Sequence, residues 1–438
     1  MENTTTPHPA KRLAVVTMGV KLGDETRGYT RFRKLSEMLV EAGFEIDLIT
    51  SSFQHWDKAP RDTSDPAYRR HPFNVVFIDE PGYRKNLDLA RILSHRKAAR
   101  NLTSYLRENA GAYAAVYAEI PPNDVARAAA EYAAEQGIPF VADVNDLWPE
   151  AMRMVVDVPV LSDAAFYPFS RDARRVYRSC AACVGTSDEY AARPLRDRVD
   201  PCETLTVYVG NDLAAFDAGV AAHRSEVEKP KGEFWAVYAG MLGASYDLAT
   251  LVQAAALVDE RQAETADTPR LRVKILGDGP DRAALEALAA QLRAPVDFVG
   301  YAPYETMAAW LAASDVTVNS LVAAAPQSIV TKIGDYLASG RPMINTGSSP
   351  EFRAKVERDG FGVNVEAEDA AVLAGALEAL RDDPAACAAM GRAGRAVAER
   401  EFDQTVSYRA IVDLLARLVG ADPKRPAAPA DAPRNAPS

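Results

Sequence analysis

The sequence predicts an α/β protein of two consecutive domains, each with a parallel sheet covered by helices on both faces. The chain has 438 residues, which is too long for one ordinary core and suits two domains. Short runs rich in valine and isoleucine, typical of strands buried on both faces, alternate with longer helical patterns. The alternation pauses in a polar stretch, 217–232, and restarts at Phe234. Each series of alternating strands and helices therefore predicts one doubly wound domain.

The first series predicts seven strands and four helices. The strands are expected at 13–18, 46–50, 75–78, 115–117, 140–144, 182–184 and 205–209. The helices are expected at 29–42, 87–106, 124–136 and 162–178.

The second series predicts six strands and then a helical ending. The strands are expected at 235–238, 271–276, 296–299, 316–319, 343–345 and 362–365. The helices are expected at 248–260, 282–293, 305–313, 330–339, 351–358, 371–380, 384–400 and 406–418. The predicted N-terminal domain spans 11–216, and a linker at 217–232 joins it to a C-terminal domain at 233–403. A closing helix at 404–419 and a disordered tail rich in proline and alanine, at 420–438, are expected to follow.

Composition excludes several classes of protein. The formal net charge of −11 argues against wholesale nucleic-acid binding, and four cysteines are too few for a disulfide scaffold. Cys180 and Cys183 have metal-ligand spacing, but Cys183 falls in an apolar run and no second pair exists, so we expect a buried structural role and no metal site. No apolar run approaches the roughly 20 residues that span a bilayer. We expect a cytoplasmic protein, with the inner face of the plasma membrane as a further location.

In open parallel sheets, ligands bind outside the carboxyl ends of the strands. Two such edges facing each other predict one deep cleft between the domains, a common place for substrates. The architecture alone allows many chemistries.

The strongest motif runs from Ser328 to Pro342 and predicts a loop, a helix, a glycine stop and a strand. Lys332 and Asp335 are three apart, so they are expected on one face of the helix in its first turns. A helix N-terminus presents free N–H groups to a phosphate, and Lys332 adds positive charge. Asp335 is placed to accept hydrogen bonds from ribose hydroxyls. A surface Lys–Asp pair on an ordinary amphipathic helix is the alternative interpretation.

This segment resembles the signature of retaining glycosyltransferase family 4, whose members have the GT-B fold of two facing Rossmann-like domains. The resemblance spans about residues 11–403 and is strongest over 238–346. The family's fuller motif has two glutamates eight positions apart; the second corresponds to Asp335 and the first to Gln327, which is not acidic. The resemblance implies a ribose role for Asp335, a sugar-side role for Gln327 and a catalytic contribution from Lys332.

Further donor-binding residues follow from the same resemblance. Gly240, Gly243 and Ser245 belong to a segment similar to the family's Gly-x-Leu loop. Met241 and Tyr246 stand where many members have an arginine and a lysine on the diphosphate, so Lys332, helix dipoles or a first-domain arginine must meet that charge instead. The candidate arginines are Arg27, Arg31 and Arg33. The remaining donor-binding residues implied are Gly300 and Tyr301 at the nucleobase, and Ser320, Ser328 and Ile329 on the phosphate side.

The first domain is expected to bind the acceptor. Asn145, Asp146 and Glu150 lie in a block that resembles the Asp-Leu-Trp-Pro-Glu block of a surface-polysaccharide branch of the family. Asn145 and Asp146 are predicted to take part in catalysis. The alternative role of Asp146 is to cap the N-terminus of a helix. The other predicted acceptor residues are Gly23, Arg27 and Gly28 in a glycine-rich loop, and His55 and Trp56 in a polar–aromatic loop suited to sugar rings.

A basic segment, 84–100, stands out in this acidic chain, and attraction to anionic lipid or a lipid diphosphate is one interpretation; a solvated helix face is the other.

The resemblance implies transfer of a sugar from a nucleotide diphosphate sugar, most commonly a UDP-sugar, to a glycan or lipid-linked acceptor with retention of configuration. It implies capsule, exopolysaccharide or O-antigen synthesis and no tightly bound cofactor. A sugar-nucleotide epimerase or hydrolase on the same fold is one alternative, and a non-catalytic nucleotide-sugar-binding subunit is another.

Overall fold

The computed structural model describes residues 11–23, 25, 29–86, 88–153, 161–262, 268–325 and 329–423. The chain divides into two compact units. The first unit consists of Met1–Val207 together with Tyr408–Ser438, and the second consists of Tyr208–Ser407.

The first unit is built on a seven-stranded parallel sheet with strand order β5-β2-β1-β6-β7-β8-β9. Its strands, with a small antiparallel pair β3 and β4, are β1 Arg12–Val16, β2 Glu45–Ser51, β3 Phe53–Gln54, β4 Ala59–Pro60, β5 Asn74–Ile78, β6 Ala115–Ile120, β7 Phe140–Val144, β8 Ala182–Gly185 and β9 Glu203–Thr206. Its α-helices before the crossing into the second unit are α1 Arg31–Glu41, α2 Leu89–Glu108, α3 Asn123–Gln136, α4 Glu150–Arg153, α5 Leu161–Ser179 and α6 Asp188–Ala192.

The second unit repeats the plan with a six-stranded parallel sheet of order β12-β11-β10-β13-β14-β15. The strands are β10 Glu233–Ala239, β11 Arg270–Leu276, β12 Val296–Gly300, β13 Val316–Asn319, β14 Met343–Asn345 and β15 Gly362–Asn364. The helices are α7 Leu213–His223, α8 Leu248–Gln262, α9 Arg282–Leu292, α10 Tyr304–Ala313, α11 Ile333–Ala338, α12 Pro350–Asp359, α13 Ala370–Asp382, α14 Pro384–Val397 and α15 Gln404–Ser407.

The chain then returns to the first unit as α16, Arg409–Val419. Its apolar face, including Ile411, Leu414 and Leu415, is buried in the same core cluster as Leu35 and Leu39 of α1. An amphipathic helix of this kind is held by the burial of its apolar face rather than by its intrinsic propensity.

The predicted fold class is confirmed: both sheets are parallel and follow the doubly wound order, in which the strand sequence reverses between β1 and β6 and again between β10 and β13. Among the local elements that differ from prediction, two belong to the second unit. The predicted linker 217–232 overlaps α7, whose cap is the Asp212 carboxylate accepting the Ala215 N–H at 2.9 Å. The predicted helix 330–339 is shorter, because α11 begins at Ile333.

A buried ion pair links α1 to the centre of the first sheet. Asp143 lies in the fully buried strand β7, and Arg31 is 1% exposed. The guanidinium donates through Nε to Asp143 Oδ2 at 2.8 Å and through Nη2 to Oδ1 at 3.1 Å. The Tyr117 hydroxyl donates to the same carboxylate at 2.6 Å, and Arg31 also donates to the Val207 carbonyl at 3.0 Å. Each charged group in this network is paired with an opposite charge. The network therefore orients α1 against the sheet.

We predict that Asp143→Asn lowers the free energy of unfolding by about 3–5 kcal/mol, since it leaves the Arg31 charge buried without its counter-charge. Denaturant unfolding measures the loss. The control is Glu135→Gln, which removes one partner of the exposed Arg107–Glu135 pair, in which both side chains are more than half exposed. The control should cost less than about 1 kcal/mol. A comparable small loss in both variants would contradict the assignment of Asp143 as a buried structural charge.

Candidate functional site

Three glycines stand at the carboxyl ends of neighbouring strands in the second unit. Gly240 follows β10, Gly277 follows β11 and Gly300 ends β12, and their φ angles are +155°, +120° and +86°. The Gly240 N–H donates to the Leu276 carbonyl at 3.0 Å, and the Gly277 N–H donates to the Gly300 carbonyl at 2.7 Å. The edge of the sheet is therefore formed here by backbone, which lets a ligand approach closely.

The steric demand is sharpest at Gly277. A Cβ atom there would lie 1.8 Å from the Gly240 carbonyl oxygen, a fixed backbone atom. No side chain fits without moving the loop that follows β10. This loop borders the point between β10 and β13 where the strand order reverses, which is where doubly wound sheets bind ligands.

The ammonium of Lys332 lies beside this glycine edge. Its Nζ is 4.0 Å from the centroid of the Tyr238 ring and 3.9 Å from that of Tyr246. A Cβ on Gly240 would meet the same Nζ at 2.8 Å. The Nζ is shielded from solvent and donates no hydrogen bond to the part of the chain that the structure describes. Burial lowers the pKa of Lys332 well below that of an ordinary lysine.

Asp335 has a different environment from Lys332. Its Oδ1 accepts hydrogen bonds from Asn211 Nδ2 at 2.9 Å and from the Tyr304 hydroxyl at 2.8 Å. Burial raises the pKa of Asp335 to about 6. The Oδ1 of Asn211 is itself shielded from water and has no hydrogen-bond partner among the described residues. Sequence reasoning did not single out Asn211 or Tyr304, which lie far from Asp335 along the chain.

The expected arrangement of Lys332 and Asp335 needs correction. They were predicted in the first turns of one helix, but α11 has six residues and Lys332 is its N-cap residue. Lys332 therefore contacts two tyrosines of another segment, while Asp335 contacts Tyr304 of α10. The two side chains do not form the surface Lys–Asp pair that was the alternative interpretation of the motif. Gln327 and Ser328 lie outside the described residues.

The other predicted donor-binding residues vary in accessibility. The Ser320 hydroxyl is fully buried and donates to the Asp247 carbonyl at 2.6 Å, so its hydrogen is already used within the fold. Ile329 packs against the apolar cluster that contains Ile333. Tyr301 is 79% exposed and follows Gly300 directly, which leaves its ring accessible to a ligand. Gly243 is buried and Ser245 is half-buried in the loop after Gly240.

In the first unit, the predicted carboxylates are engaged locally. Asp146 accepts the Leu147 N–H at 2.8 Å and the Trp148 indole N–H at 3.0 Å, and burial raises its pKa. Asn145 donates to the Asp143 carbonyl at 3.1 Å. Glu150 accepts two hydrogen bonds from one guanidinium, that of Arg193, at 3.0 and 2.7 Å.

The polar–aromatic loop is a cluster of rings. His55 contacts the Tyr83 hydroxyl through Nδ1 and lies 5.0 Å from the Trp56 ring, which packs edge-on against Tyr29 at 4.9 Å. Burial, with the nearby charges of Lys58 and Arg91, lowers the pKa of His55 to about 3. The imidazole is therefore neutral at physiological pH and acts as a hydrogen-bonding group rather than a charge.

The glycine-rich loop is described only in part. Gly23 adopts φ +119° and donates its N–H to Glu25 at 3.3 Å. Arg27 and Gly28 lie outside the described residues. Arg31, another arginine expected to bind the diphosphate, is buried and paired with Asp143, so its charge is already used within the fold. Arg33 lies 3.7 Å from Glu37.

Glu119 was missed by sequence reasoning. It lies at the carboxyl end of β6, next to the strand reversal of the first sheet, and accepts hydrogen bonds from the Thr17 hydroxyl at 2.5 Å and the Met18 N–H at 3.3 Å. Burial raises the pKa of Glu119 to about 7, which is typical of functional positions. Its signal in the sequence is a carboxylate inside an apolar run, 115–120.

The described residues contain no cluster of three or more His, Cys, Asp or Glu side chains able to hold a metal ion. Cys183 is buried, whereas the Sγ of Cys180 lies 3.7 Å from the Sγ of Cys202, a contact that the Cys180–Cys183 spacing does not reveal. Among the described helices, none combines the length and apolar character needed to cross a bilayer.

Comparison with known proteins links the second unit to a family. Residues 220–397, which lie within the second unit, match the model of the glycosyl transferases group 1 family. A GDP-mannose-dependent monoacylated alpha-(1-6)-phosphatidylinositol monomannoside mannosyltransferase of Corynebacterium glutamicum is 30% identical over 34% of this chain and 40% of that relative's length. A D-inositol 3-phosphate glycosyltransferase of Pseudarthrobacter chlorophenolicus is 27% identical over 87% of this chain and 89% of its own length.

Solved structures share the fold over nearly the whole chain. Sucrose-phosphate synthase from Thermosynechococcus elongatus has a TM-score of 0.69 at 18% identity, covering 94% of this chain and 99% of its own. Anabaena HepE in complex with UDP has a TM-score of 0.66 at 14% identity, covering 93% of this chain and all of its own. These likenesses confirm the predicted fold class, in which two Rossmann-like domains each contain a parallel sheet.

We predict that Gly277→Ala destabilises the second unit strongly, by more than about 2 kcal/mol, because the new methyl group meets the Gly240 carbonyl and the backbone has a positive φ. The matched control is Gly375→Ala in the interior of α13, where a Cβ meets nothing within 4 Å. Thermal unfolding of the control should show a gain of about 0.4–1 kcal/mol. Equal stability of the two variants would refute the close approach of these strand ends.

Proposed function

We propose that this protein is a retaining glycosyltransferase that moves a sugar from a UDP-sugar to a glycan or lipid-linked acceptor in surface-polysaccharide synthesis. The observation that carries the proposal is the ammonium of Lys332, which is shielded from water, without a counter-charge in the described chain, and adjacent to the backbone of Gly240. A buried cation without a partner is costly, and an anion bound at this point removes that cost.

The diphosphate of the donor supplies that anion. Charge-assisted hydrogen bonds from Lys332 hold it beside the glycine edge, and Met241 and Tyr246 need carry no charge themselves. The Tyr238 and Tyr246 rings keep the ammonium close to the edge by cation–π attraction. This arrangement accounts for a diphosphate site without the arginine and lysine that many relatives of the family have in the Gly-x-Leu loop.

The nucleoside extends from the diphosphate along the same edge. Asp335 accepts hydrogen bonds from the ribose hydroxyls in this proposal, because its Oδ1 is already fixed by Asn211 and Tyr304 and the carboxylate is thereby oriented. The backbone at Gly300 and the exposed ring of Tyr301 lie at the end of the neighbouring strand and are assigned to the base. Ser245, Ser328 and Ile329 are assigned to the phosphate side; Ser320 contributes through its backbone, since its hydroxyl is engaged.

The reaction breaks the bond between the anomeric carbon and the diphosphate oxygen. The diphosphate leaves with the electron pair, and Lys332 stabilises the negative charge that develops on it. Electrostatic stabilisation of this kind usually contributes more to catalysis than any other effect. The acceptor hydroxyl oxygen forms the new bond on the face that the diphosphate leaves, and its proton is released. On the first unit, Asn145, Asp146, His55 and Trp56 are assigned to the acceptor and transferred sugar.

Relatives and neighbours support the donor class. HepE is known in complex with UDP and with UDP-glucose, while the Corynebacterium relative is named for GDP-mannose. Uridine is chosen from the family resemblance, and guanosine is the alternative to test. The Asp-Leu-Trp-Pro-Glu block supports the surface-polysaccharide assignment, and the basic segment 84–100 supports approach to a membrane carrying a lipid-linked acceptor.

We predict that UDP or a UDP-sugar raises the unfolding temperature of the protein and that Lys332→Met removes most of the effect. The loss of one charge-assisted contact should weaken binding by about 10- to 100-fold. Methionine preserves the shape of the chain and removes a buried amine that has no hydrogen-bond partner in the described chain, so the variant should fold at least as stably as the parent. Thermal shift with UDP, GDP, ADP and UDP-glucose measures the effect.

The control is Lys231→Met, an exposed lysine of the same unit. It should leave the ligand response unchanged, while Asp335→Asn should weaken binding of nucleotides more than that of inorganic diphosphate. If no nucleotide stabilises the parent protein, or if Lys332→Met binds UDP as tightly as Lys231→Met, the proposed site is wrong. Product analysis with donor alone separates transfer from hydrolysis or epimerisation.

We also predict that diphosphate binding takes up a proton from solvent in the alkaline range, at pH values above the lowered pKa of Lys332 in the free protein. Burial lowers the pKa of Lys332 in the free protein, and a bound anion raises that pKa again, so a proton is gained on binding. Asp335, with its pKa of about 6, is already ionised there and contributes no proton change. Calorimetry of UDP binding in buffers of different ionisation enthalpy measures the uptake, which Lys332→Met should abolish. Identical heats in all buffers would contradict a neutralised Lys332.

A further inference from the structure

A cavity in the first unit takes no part in the donor site proposed above. It has a volume of about 230 Å³ and lies between α2, α3 and α5. The residues that matter for its chemistry are Arg96 and Arg100 from α2, Asn123 and Asp124 from α3, and Trp148 with Phe169. All of them belong to one unit, so the cavity is complete within it.

Two guanidiniums at this cavity remain available to a ligand. Arg127 and Arg171 also line it, but both pair with Asp172, at 3.3 and 2.9 Å. Arg96 and Arg100 are exposed and form no ion pair within the part of the chain that the structure describes. They are four residues apart on α2 and so lie on one face of the helix, where two guanidiniums can bind one anion.

Asn123, one of the residues that line the cavity, also has an unused acceptor. Asn123 is 1% exposed, and its Nδ2 donates to the Trp148 carbonyl at 2.9 Å and to the Phe169 carbonyl at 3.1 Å. These bonds fix the amide, yet its Oδ1 is shielded from water and receives no hydrogen bond from any described residue. Buried polar atoms are nearly always satisfied, so this oxygen calls for a donor from a ligand or a water. The neighbouring Asp124 carboxylate is a second acceptor; it accepts the Val125 N–H at 3.0 Å.

Aromatic rings complete the wall. Trp148 and Phe169 meet edge to face, with ring centroids 6.4 Å apart. Such rings offer apolar faces next to hydrogen-bonding groups, which suits the faces of a polyol ring. The volume of 230 Å³ lies below the roughly 300–1,000 Å³ of pockets for drug-sized ligands, so it favours a compact molecule over a nucleotide sugar.

We propose that this cavity binds a small phosphorylated polyol: Arg96 and Arg100 bind the phosphate, while Asn123 Oδ1 and Asp124 accept hydrogen bonds from the hydroxyl groups. The combination of two available guanidiniums with two oxygen acceptors selects a ligand that is both anionic and hydroxylated. Inorganic phosphate lacks the hydroxyl donors on a ring, and a neutral sugar lacks the charge. The proposal concerns the first unit alone and does not depend on the nucleotide site of the second.

The phosphorylated polyol is either a free sugar phosphate or the headgroup of a lipid. Isothermal titration of the full-length chain with glucose 6-phosphate, glucose and inorganic phosphate tests the free form. Co-sedimentation with phosphatidylcholine vesicles, with and without phosphatidylinositol, tests the lipid-borne form. If the ligand is free, we expect glucose 6-phosphate to bind at least about tenfold more tightly than glucose or phosphate. If it is lipid-borne, we expect vesicles with phosphatidylinositol to bind the protein at least about tenfold more tightly than vesicles without it.

The test variant is the double substitution Arg96→Ala with Arg100→Ala, and the control is Lys97→Ala, an exposed cation of the same helix that does not line the cavity. The double variant should bind the effective probe at least about tenfold more weakly than the control, while both retain the response of the second unit to UDP. Asn123→Leu should weaken the binding of the phosphorylated polyol and leave the binding of inorganic phosphate unchanged. Absence of binding by every probe, or equal binding by the double variant and the control, would overturn the proposal.

Discussion

The shielded ammonium of Lys332 is the constraint on which the interpretation of the second unit depends. A protonated amine removed from water must be matched by an anion or lose its proton. In the part of the chain that the structure describes, the ammonium contacts two aromatic rings and lies beside a glycine backbone, none of which carries a full negative charge. The site is therefore electrostatically incomplete in the way that an anion-binding site is before its ligand arrives.

The parallel sheet explains why that site is placed where it is. Strands buried on both faces can be approached only at their ends, and the three strand-end glycines place backbone without side chains at that edge. The close contact between Gly277 and the Gly240 carbonyl fixes the shape of the edge before any ligand binds. Binding at such an edge spends little free energy on ordering the protein, because the backbone is already in position.

Continuous apolar runs allowed the strands to be predicted well. The boundaries of β7, β13 and β14 coincide with the predicted ones because each run is followed directly by a polar residue. The pair of two-residue strands β3 and β4 was not predicted, since two residues show no periodicity. Helix α7 was hidden because its alanines give little contrast between faces and the polar residues after it resemble a linker.

The candidate site was less predictable than the fold because sequence spacing does not report the direction of a side chain. The three-residue spacing of Lys332 and Asp335 suggested one shared face, yet the helix begins after Lys332 and the two side chains separate. The partners of Asp335, Asn211 and Tyr304, come from distant segments that only the fold brings together. The chemistry of the motif was readable, whereas its geometry depended on long-range packing.

Arginine residues illustrate the same limit in physical terms. Arg31 and Arg96 both lie on helices of the first unit, and the sequence alone shows the same positive charge at each position. Arg31 is buried because Asp143 stands within a strand that has no access to water, and such a carboxylate requires a counter-charge from the covering helix. Arg96 has no such partner among the described residues and stays exposed at the rim of a cavity. The carboxylate of Asp143 inside an apolar run therefore signals a structural arginine, but this signal alone does not imply one, because Glu119 also lies in an apolar run and no described arginine forms a salt bridge with it.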